Sequence, residues 1–206
     1  MDKNDKFVIT INRQFGTGGH EIGVEIARRL NVKVLDKQIL DSVAKCRGLS
    51  DEAIERLEIR DKSWKDDFTA FYRNYMKAHE YHVGDRELTS RRLFDEQADI
   101  IRYIAEDESC VIIGRCAFDI FRDHPNALKI FVHSPMDTRV KRIVDRYGVS
   151  SADAKVLIVD NDYTRELYTK MFTGTEWYDA RNYDLTLDVS KFGINGAVDY
   201  IMGLVE

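Results

Sequence analysis

The 206-residue sequence predicts an α/β fold, a three-layer arrangement in which a five-stranded parallel sheet is covered by helices on both faces. Three observations predict it. Five short apolar runs are separated by segments with helical spacing, with almost no hairpin turns, so successive strands must be joined by crossovers. The run Cys110-Val111-Ile112-Ile113 is continuously apolar, as a strand covered on both faces requires. The first run passes through Gly16, Gly18 and Gly19 directly into a helical pattern, the order strand, glycine loop, helix.

Taken in order, residues 7–11 form the first strand, and Ile22, Ile26 and Leu30, four residues apart, mark the helix after the loop. Residues 32–35 form a second strand that stops at Asp36-Lys37. Ile39, Leu40, Val43 and Ala44 give a helical stripe closed by Gly48, and Ser50-Asp51-Glu52 opens the next helix with a cap and two acids that meet its dipole. Residues 64–82 place Trp64, Phe68, Phe71, Tyr72, Tyr75, Met76 and His79 at helical spacing. Packing of an amphipathic helix is the first account of this aromatic face; an acceptor-binding insert or a homodimer contact is the second. A further helix covers 89–106, with Leu93, Phe94, Ile100, Ile101 and Ile104 on one side. The strand 110–113 ends in Gly114-Arg115, and residues 127–132 give a fourth strand. Ser134-Pro135-Met136-Asp137 combines a cap, a proline at the first helical position and an early acid. The helix through Tyr147 turns Val140, Ile143 and Val144 inward and leaves Arg139, Lys141, Arg142 and Arg146 to other directions. Ser150 or Ser151 caps a helix to about Phe172, residues 183–189 give the fifth strand, and Ile194, Ala197, Val198, Ile201, Met202 and Val205 mark the last helix.

The length suits a single domain over 1–206 with an insertion. A net charge of −5 argues against a general nucleic-acid or anionic-membrane surface, so any basic site must be local. Cys46, Cys110 and Cys116 have no Cys-x-x-Cys spacing, which fits buried thiols in a reducing compartment. The polar start and the lack of a long apolar run lead us to expect a cytoplasmic protein. The five histidines form no helical zinc pairing with a carboxylate, and nucleophile motifs of Ser or Cys are absent.

The glycine loop suits a phosphate. Glycines let successive N–H groups turn toward one point, and the helix adds the partial positive charge of its N-terminus. Ligands of parallel sheets bind at the carboxyl ends of strands. The loop, Asp36-Lys37 and Gly114-Arg115 all follow strands and therefore share that edge.

These residues resemble the cytidylate kinase-like proteins, a divergent branch of the P-loop nucleoside monophosphate kinases. The resemblance is carried by the stretch from Ile9 to Ile22, by Leu35-Asp36-Lys37, by Val111-Ile112-Ile113-Gly114-Arg115, by the segment 134–146, by Phe172-Thr173-Gly174, and by Tyr183-Asp184-Leu185 with Ser190-Lys191-Phe192-Gly193-Ile194. It is weakest between Ser63 and Thr89. It implies a P-loop kinase fold with a helical acceptor-binding insert within 37–106 and a short lid at about 148–175. A standard loop is Gly-x4-Gly-Lys-[Ser/Thr], its lysine on the outer phosphates and its hydroxyl on Mg²⁺. Here Arg13, Gly18, Gly19 and His20 stand at those places, so the backbone cradle is kept while the lysine and the hydroxyl are not. Arg13, just before the loop, is a candidate to return the lost charge. The family's Asp-Gly-Arg segment appears as Ile113-Gly114-Arg115, which makes Arg115 the acceptor-phosphate candidate and removes a carboxylate that supports the metal. Asp162 and Arg165 match the lid spacing Asp-x-x-Arg, and Arg165 is the candidate charge-stabilising finger; an exposed helix pair is the alternative. Arg139 and Arg142 also match.

The resemblance thus implies Arg13, Arg115 and Arg165 as catalytic cations, and Gly16, Thr17, Gly18, Gly19, His20, Asp36, Lys37 and Asp162 as nucleotide- or phosphate-binding residues. No residue is expected to bind metal directly. ATP or another nucleoside triphosphate is the implied donor, with Mg²⁺ carried by the nucleotide, and CMP or dCMP the first acceptor. The second functional reading is a nucleotide-binding sensor or partner-binding protein with little turnover, which Gly19, His20 and Ile113 favour.

Overall fold

Strand β1 (Val8–Arg13) is the middle of the sheet because its sequence suits cover from both sides. Val8, Ile9 and Ile11 are fully enclosed, and β-branched residues favour extended backbone. The computed structural model describes residues 1–36 and 83–205. In it β1 runs parallel to β3 (Cys110–Ile113), with Val8 opposite Cys110, and to β4 (Ala127–His133), with Val8 opposite Ala127. Strand β2 (Lys33–Leu35) adds beyond β3, and β5 (Leu185–Asp188) beyond β4, so the parallel sheet has the order β2-β3-β1-β4-β5. The order reverses at β1, and that reversal opens a crevice at its carboxyl end.

The helices of the described residues are α1 (Gly19–Leu30), α2 (Val83–Asp107), α3 (Ala117–Ile120), α4 (Met136–Tyr147), α5 (Ser151–Thr173) and α6 (Val189–Met202). The period of two in the strands divides the core. Phe7, Ile9 and Ile11, with Leu128, Ile130, Val132 and Leu187, meet Ile22, Ile26 and Ala27 of α1 and Ala197, Val198 and Ile201 of α6. Burying each large aliphatic side chain there is worth about 1.5–3 kcal/mol. On the other face Phe131 packs against Trp177, Tyr178 and Tyr183 at ring separations of 5.3, 5.8 and 5.0 Å. Asn12 Nδ2 donates to the Tyr183 hydroxyl (3.1 Å), which donates to the Trp177 carbonyl (2.7 Å), so the buried amide of β1 keeps its partner.

Helix α1 comes so close to the sheet that position 23 has no room for a side chain. A Cβ there would lie 2.7 Å from Ile113 Cδ1 and 3.3 Å from Ile11 Cδ1. Gly23→Ala is expected to cost about 1–3 kcal/mol by overpacking. Urea denaturation checks this, as a lower midpoint at unchanged slope.

Several ends differ from the expected ones for local reasons. Pro135 has φ −55° and ψ 147°, so it is the N-cap of α4 rather than its first helical residue, and Ser134 uses its amide to donate to Gln14 Oε1 at 3.2 Å. Strand β5 starts at Leu185 because Ala180–Asn182 form a 3₁₀ turn before it. Asp188 caps α6 through Ser190 N, and Gly193 (φ 65°, ψ 179°) breaks that helix, so Ile194 opens its second segment. Ser150 caps α5 as expected, accepting from Asp153 N at 3.1 Å. Cys110 and Cys116 are buried thiols, and burial pushes both up to about 12.

The chain divides into two compact units, Met1–Asp36 with Arg102–Glu206, and Lys37–Ile101. The sheet and the site belong to the first. The helices expected within 39–82, their aromatic face, Cys46 and Lys37 lie outside the described residues. Among the described residues no helix is long and apolar enough to cross a membrane.

Candidate active site

The loop between β1 and α1 is held open by backbone and side-chain bonds from three directions. Gln14 N donates to Val132 O at 3.0 Å, and the Thr17 hydroxyl turns back onto Gln14 O at 2.8 Å. The Thr17 hydroxyl proton is therefore spent on the loop itself. Gly16 and Gly18 take φ values of 83° and 84°, which only glycine adopts without strain. Gly18 is the N-cap of α1 and gives the helix no side-chain cap, so the first amides of α1 are left for an anion.

From the lid side, Asp162 and Arg139 clamp the same loop. Phe15 N donates to Asp162 Oδ1 at 2.7 Å, Arg139 Nη1 donates to Asp162 Oδ2 at 2.5 Å, and the same Nη1 donates to Phe15 O at 3.3 Å. Arg139 and Asp162 are only 5% and 7% exposed. This corrects two expectations: Arg139 is turned inward, and Asp162 with Arg165 is not an exposed pair. The carboxylate of Asp162 is taken up by the loop and by Arg139, with Arg165 at 3.7 Å.

The three arginines singled out in the sequence come together at this edge. Arg165 Nη1 donates to Arg13 O at 3.2 Å, and its Cζ stands 5.6 Å from the Phe15 ring centre, a cation–π arrangement. Burial, then the charge of Arg13, lowers the Arg165 guanidinium from its ordinary value; Asp162 and Asp36 oppose the shift. Burial likewise lowers Arg13, with Asp36 opposing and Arg115 adding. Arg115 hydrogen-bonds the Tyr168 hydroxyl, whose pKa burial raises to about 12. Asp36 is the carboxylate of the group: burial alone raises it, but a hydrogen bond from His20 and the charges of Arg13 and Arg115 hold it below the usual range. His20 Nδ1 is 3.3 Å from Asp36 Oδ2. Guanidiniums held together against their own repulsion, in a half-buried edge, form a ready site for a polyanion.

Ile113 lies against α1 rather than at the site, the position already filled by the contact with Gly23. Among the described residues no group of three or more metal-ligating side chains exists.

A cleft of about 570 Å³ adjoins the loop between α4 and α6, lined by Gly16, Thr17, Thr138, Lys141, Arg142 and Ser190 among others. Thr138 and Lys141, three apart on α4, meet Ser190 of α6 because the two helices converge on the loop, and none of the three was a candidate site residue in the sequence. Arg142 and Arg146 close on Glu21 of α1, Arg142 Nη2 at 3.1 Å from Oε1. Burial opposes ionisation of Glu21, but its backbone hydrogen bond and the two arginines bring its pKa below the ordinary value. A carboxyl lowered in the folded state adds stability above its unfolded value, roughly pH 4.3, and loses it as pH falls through the folded value. Glu21→Gln is therefore expected to be less stable than wild type at pH 7, with the gap closing below about pH 4. Urea denaturation across pH measures it.

The sheet order and the glycine loop between β1 and α1 define a P-loop kinase fold. The crystal structure of shikimate kinase from Bacteroides thetaiotaomicron is similar in that fold, with a TM-score of 0.50 at 13% identity over 96% of this chain and 97% of that one. Residues 8–191 match the cytidylate kinase-like family, and the chain belongs to that family of kinase-type phosphotransferases. A cytidylate kinase of Methanococcoides burtonii is 27% identical over 187 residues, 90% of this chain and 89% of that protein. The crystal structure of an uncharacterized protein from Eubacterium ventriosum matches with a TM-score of 0.71 and 28% identity, covering 98% of both chains.

Proposed function

We propose that the protein transfers a phosphoryl group from a nucleoside triphosphate, ATP in the first place, to a pyrimidine nucleoside monophosphate, CMP or dCMP. The observation that carries this is the convergence of Arg13, Arg115 and Arg165 beside an uncapped glycine loop at one sheet edge. A phosphate acceptor is already ionised, so the reaction needs positioned cations rather than a general base. Gly16, Thr17, Gly18 and Gly19 cradle the donor phosphates through backbone amides, with His20 and Asp36 at the edge of the cradle. Arg115 holds the acceptor phosphate and Arg165 the transferring group. Asp162 acts through the loop by fixing Phe15.

Mg²⁺ fits this site as a companion of the nucleotide. Among the described residues Asp36 is the carboxylate beside the cradle and the Thr17 hydroxyl proton is taken by Gln14 O, and Mg²⁺ commonly sits on substrate phosphates with one or two carboxylates and several waters. When bound it neutralises charge on the donor phosphates. An activity that draws on nucleoside triphosphate suits the cytoplasm.

The choice of acceptor is supported by the similarity to the cytidylate kinase of Methanococcoides burtonii. Incubating the protein with ATP, Mg²⁺ and each common nucleoside monophosphate, and separating the diphosphates by chromatography, tests it. CDP or dCDP formed at least tenfold faster than the other diphosphates is the expected result. Tight nucleotide binding with no transfer to any acceptor would select the second reading, a nucleotide-binding sensor, which the absence of the loop lysine and hydroxyl favours.

A further inference from the structure

Position 19 is empty because Arg13 occupies its space. A Cβ on residue 19 would stand 2.6 Å from Arg13 Cβ and 2.8 Å from Arg13 Cγ, closer than real Cβ contacts come. A Cβ on Gly114 would collide with Arg13 Nη1. The arginine stem thus lies along the first residue of α1, and its guanidinium ends against the turn after β3. Two glycines from different elements are cleared for one side chain. Asp36 is paired with His20 and Asp162 with Arg139, and among the described residues neither Arg13 nor Arg115 forms an ion pair.

In the standard loop the residue at place 13 is a glycine and the one at place 19 the phosphate-contacting lysine. Here both are inverted. We propose that the two positions have exchanged roles, so that the cation that contacts the donor's terminal phosphate enters from β1 across Gly19 instead of from α1. The proposal rests on phosphoryl transfer as the activity of the site. A guanidinium has a planar fork that can take two phosphate oxygens, where the lysine ammonium is a point charge. Its end lies against Gly114, the residue before Arg115, so Arg13 contacts the transferring group where donor and acceptor meet.

The test is an exchange of the two residues: Arg13→Gly, Gly19→Lys and the double variant, each checked for folding by its thermal melt. Turnover is measured with CMP, and the ratio of ATP to ADP affinity by calorimetry. Arg13→Gly is expected to lower kcat about thirtyfold, as loss of a charged hydrogen bond does, and to bring the ATP to ADP ratio toward one. Gly19→Lys in the presence of Arg13 is expected to be unstable or equally slow. The double variant should recover at least tenfold in kcat over Arg13→Gly, together with the preference for ATP, an outcome that a merely structural arginine would not give. The proposal is overturned if Arg13→Gly keeps kcat and the ATP preference within threefold of wild type, or if the folded double variant is no better than Arg13→Gly. Should the double variant not fold, Arg13→Gly against Arg13→Lys decides, with Arg13→Lys keeping the ATP preference and equal loss in both overturning it. If wild type transfers to no monophosphate yet prefers ATP through Arg13, the kinase reading fails and this assignment stands.

Discussion

Arg115→Ala is expected to lower kcat/KM for the monophosphate acceptor by about 10²–10³-fold, the effect of removing one preorganised donor from developing charge. ATP affinity should change little, because the glycine loop is built by other residues. The turn that presents Arg115 supports a large effect. Gly114, Arg115 and Cys116 have φ values of 79°, 56° and 52°, a run of three left-handed residues of which two are not glycine. Each of the two costs roughly 1–2 kcal/mol. The turn is held by Ala117 N donating to Gly114 O at 3.0 Å and by the buried Cys116 Sγ, 3.9 Å from Thr169 Oγ1. Truncating the side chain should leave that backbone in place, so the loss reports the guanidinium. Steady-state kinetics with the acceptor varied checks it. A change under tenfold would remove Arg115 from the acceptor contacts.

Asp162→Ala is expected to be the most destabilising single change at the site. It leaves Arg139 charged and buried with no carboxylate, and Phe15 N without its acceptor. Breaking a buried pair from one side costs about 3–5 kcal/mol. In a domain of this size that lowers Tm by roughly 6–20 °C, which calorimetry reads directly. Replacing both partners by apolar residues, Arg139→Met with Asp162→Leu, should recover much of the loss, because no orphaned charge remains. A loss below about 1 kcal/mol in Asp162→Ala would mean the loop is not held by this clamp.

Where the sequence spoke clearly, a local pattern and the tertiary structure agreed. Phe7, Ile9 and Ile11 alternate and share one face; Ile22 and Ile26 are four apart and meet them. The carboxyl-end placement of the loop, Asp36 and Arg115 followed from strand direction alone. The clamp was not legible, since a charged residue on an amphipathic helix is ordinarily turned to solvent. Arg139 is inward because Asp162, on the next helix, and the Phe15 carbonyl accept from its Nη1 there, a fact of packing between α4 and α5 that leaves its buried Nε without a partner. The missing lysine at Gly19 and the missing acid at Ile113 were visible as departures. That Gly19 is filled by Arg13, and Ile113 by contact with Gly23, depends on distances that no spacing encodes.

The most direct measurement of the central claim is ³¹P NMR of the protein mixed with ATP, Mg²⁺ and CMP. Phosphoryl transfer predicts that the γ-phosphorus signal of ATP is lost at the rate at which the β-phosphorus of CDP appears, with no inorganic phosphate released in step. ATP signals that stay unchanged, or that decay to inorganic phosphate while CMP is untouched, would contradict it.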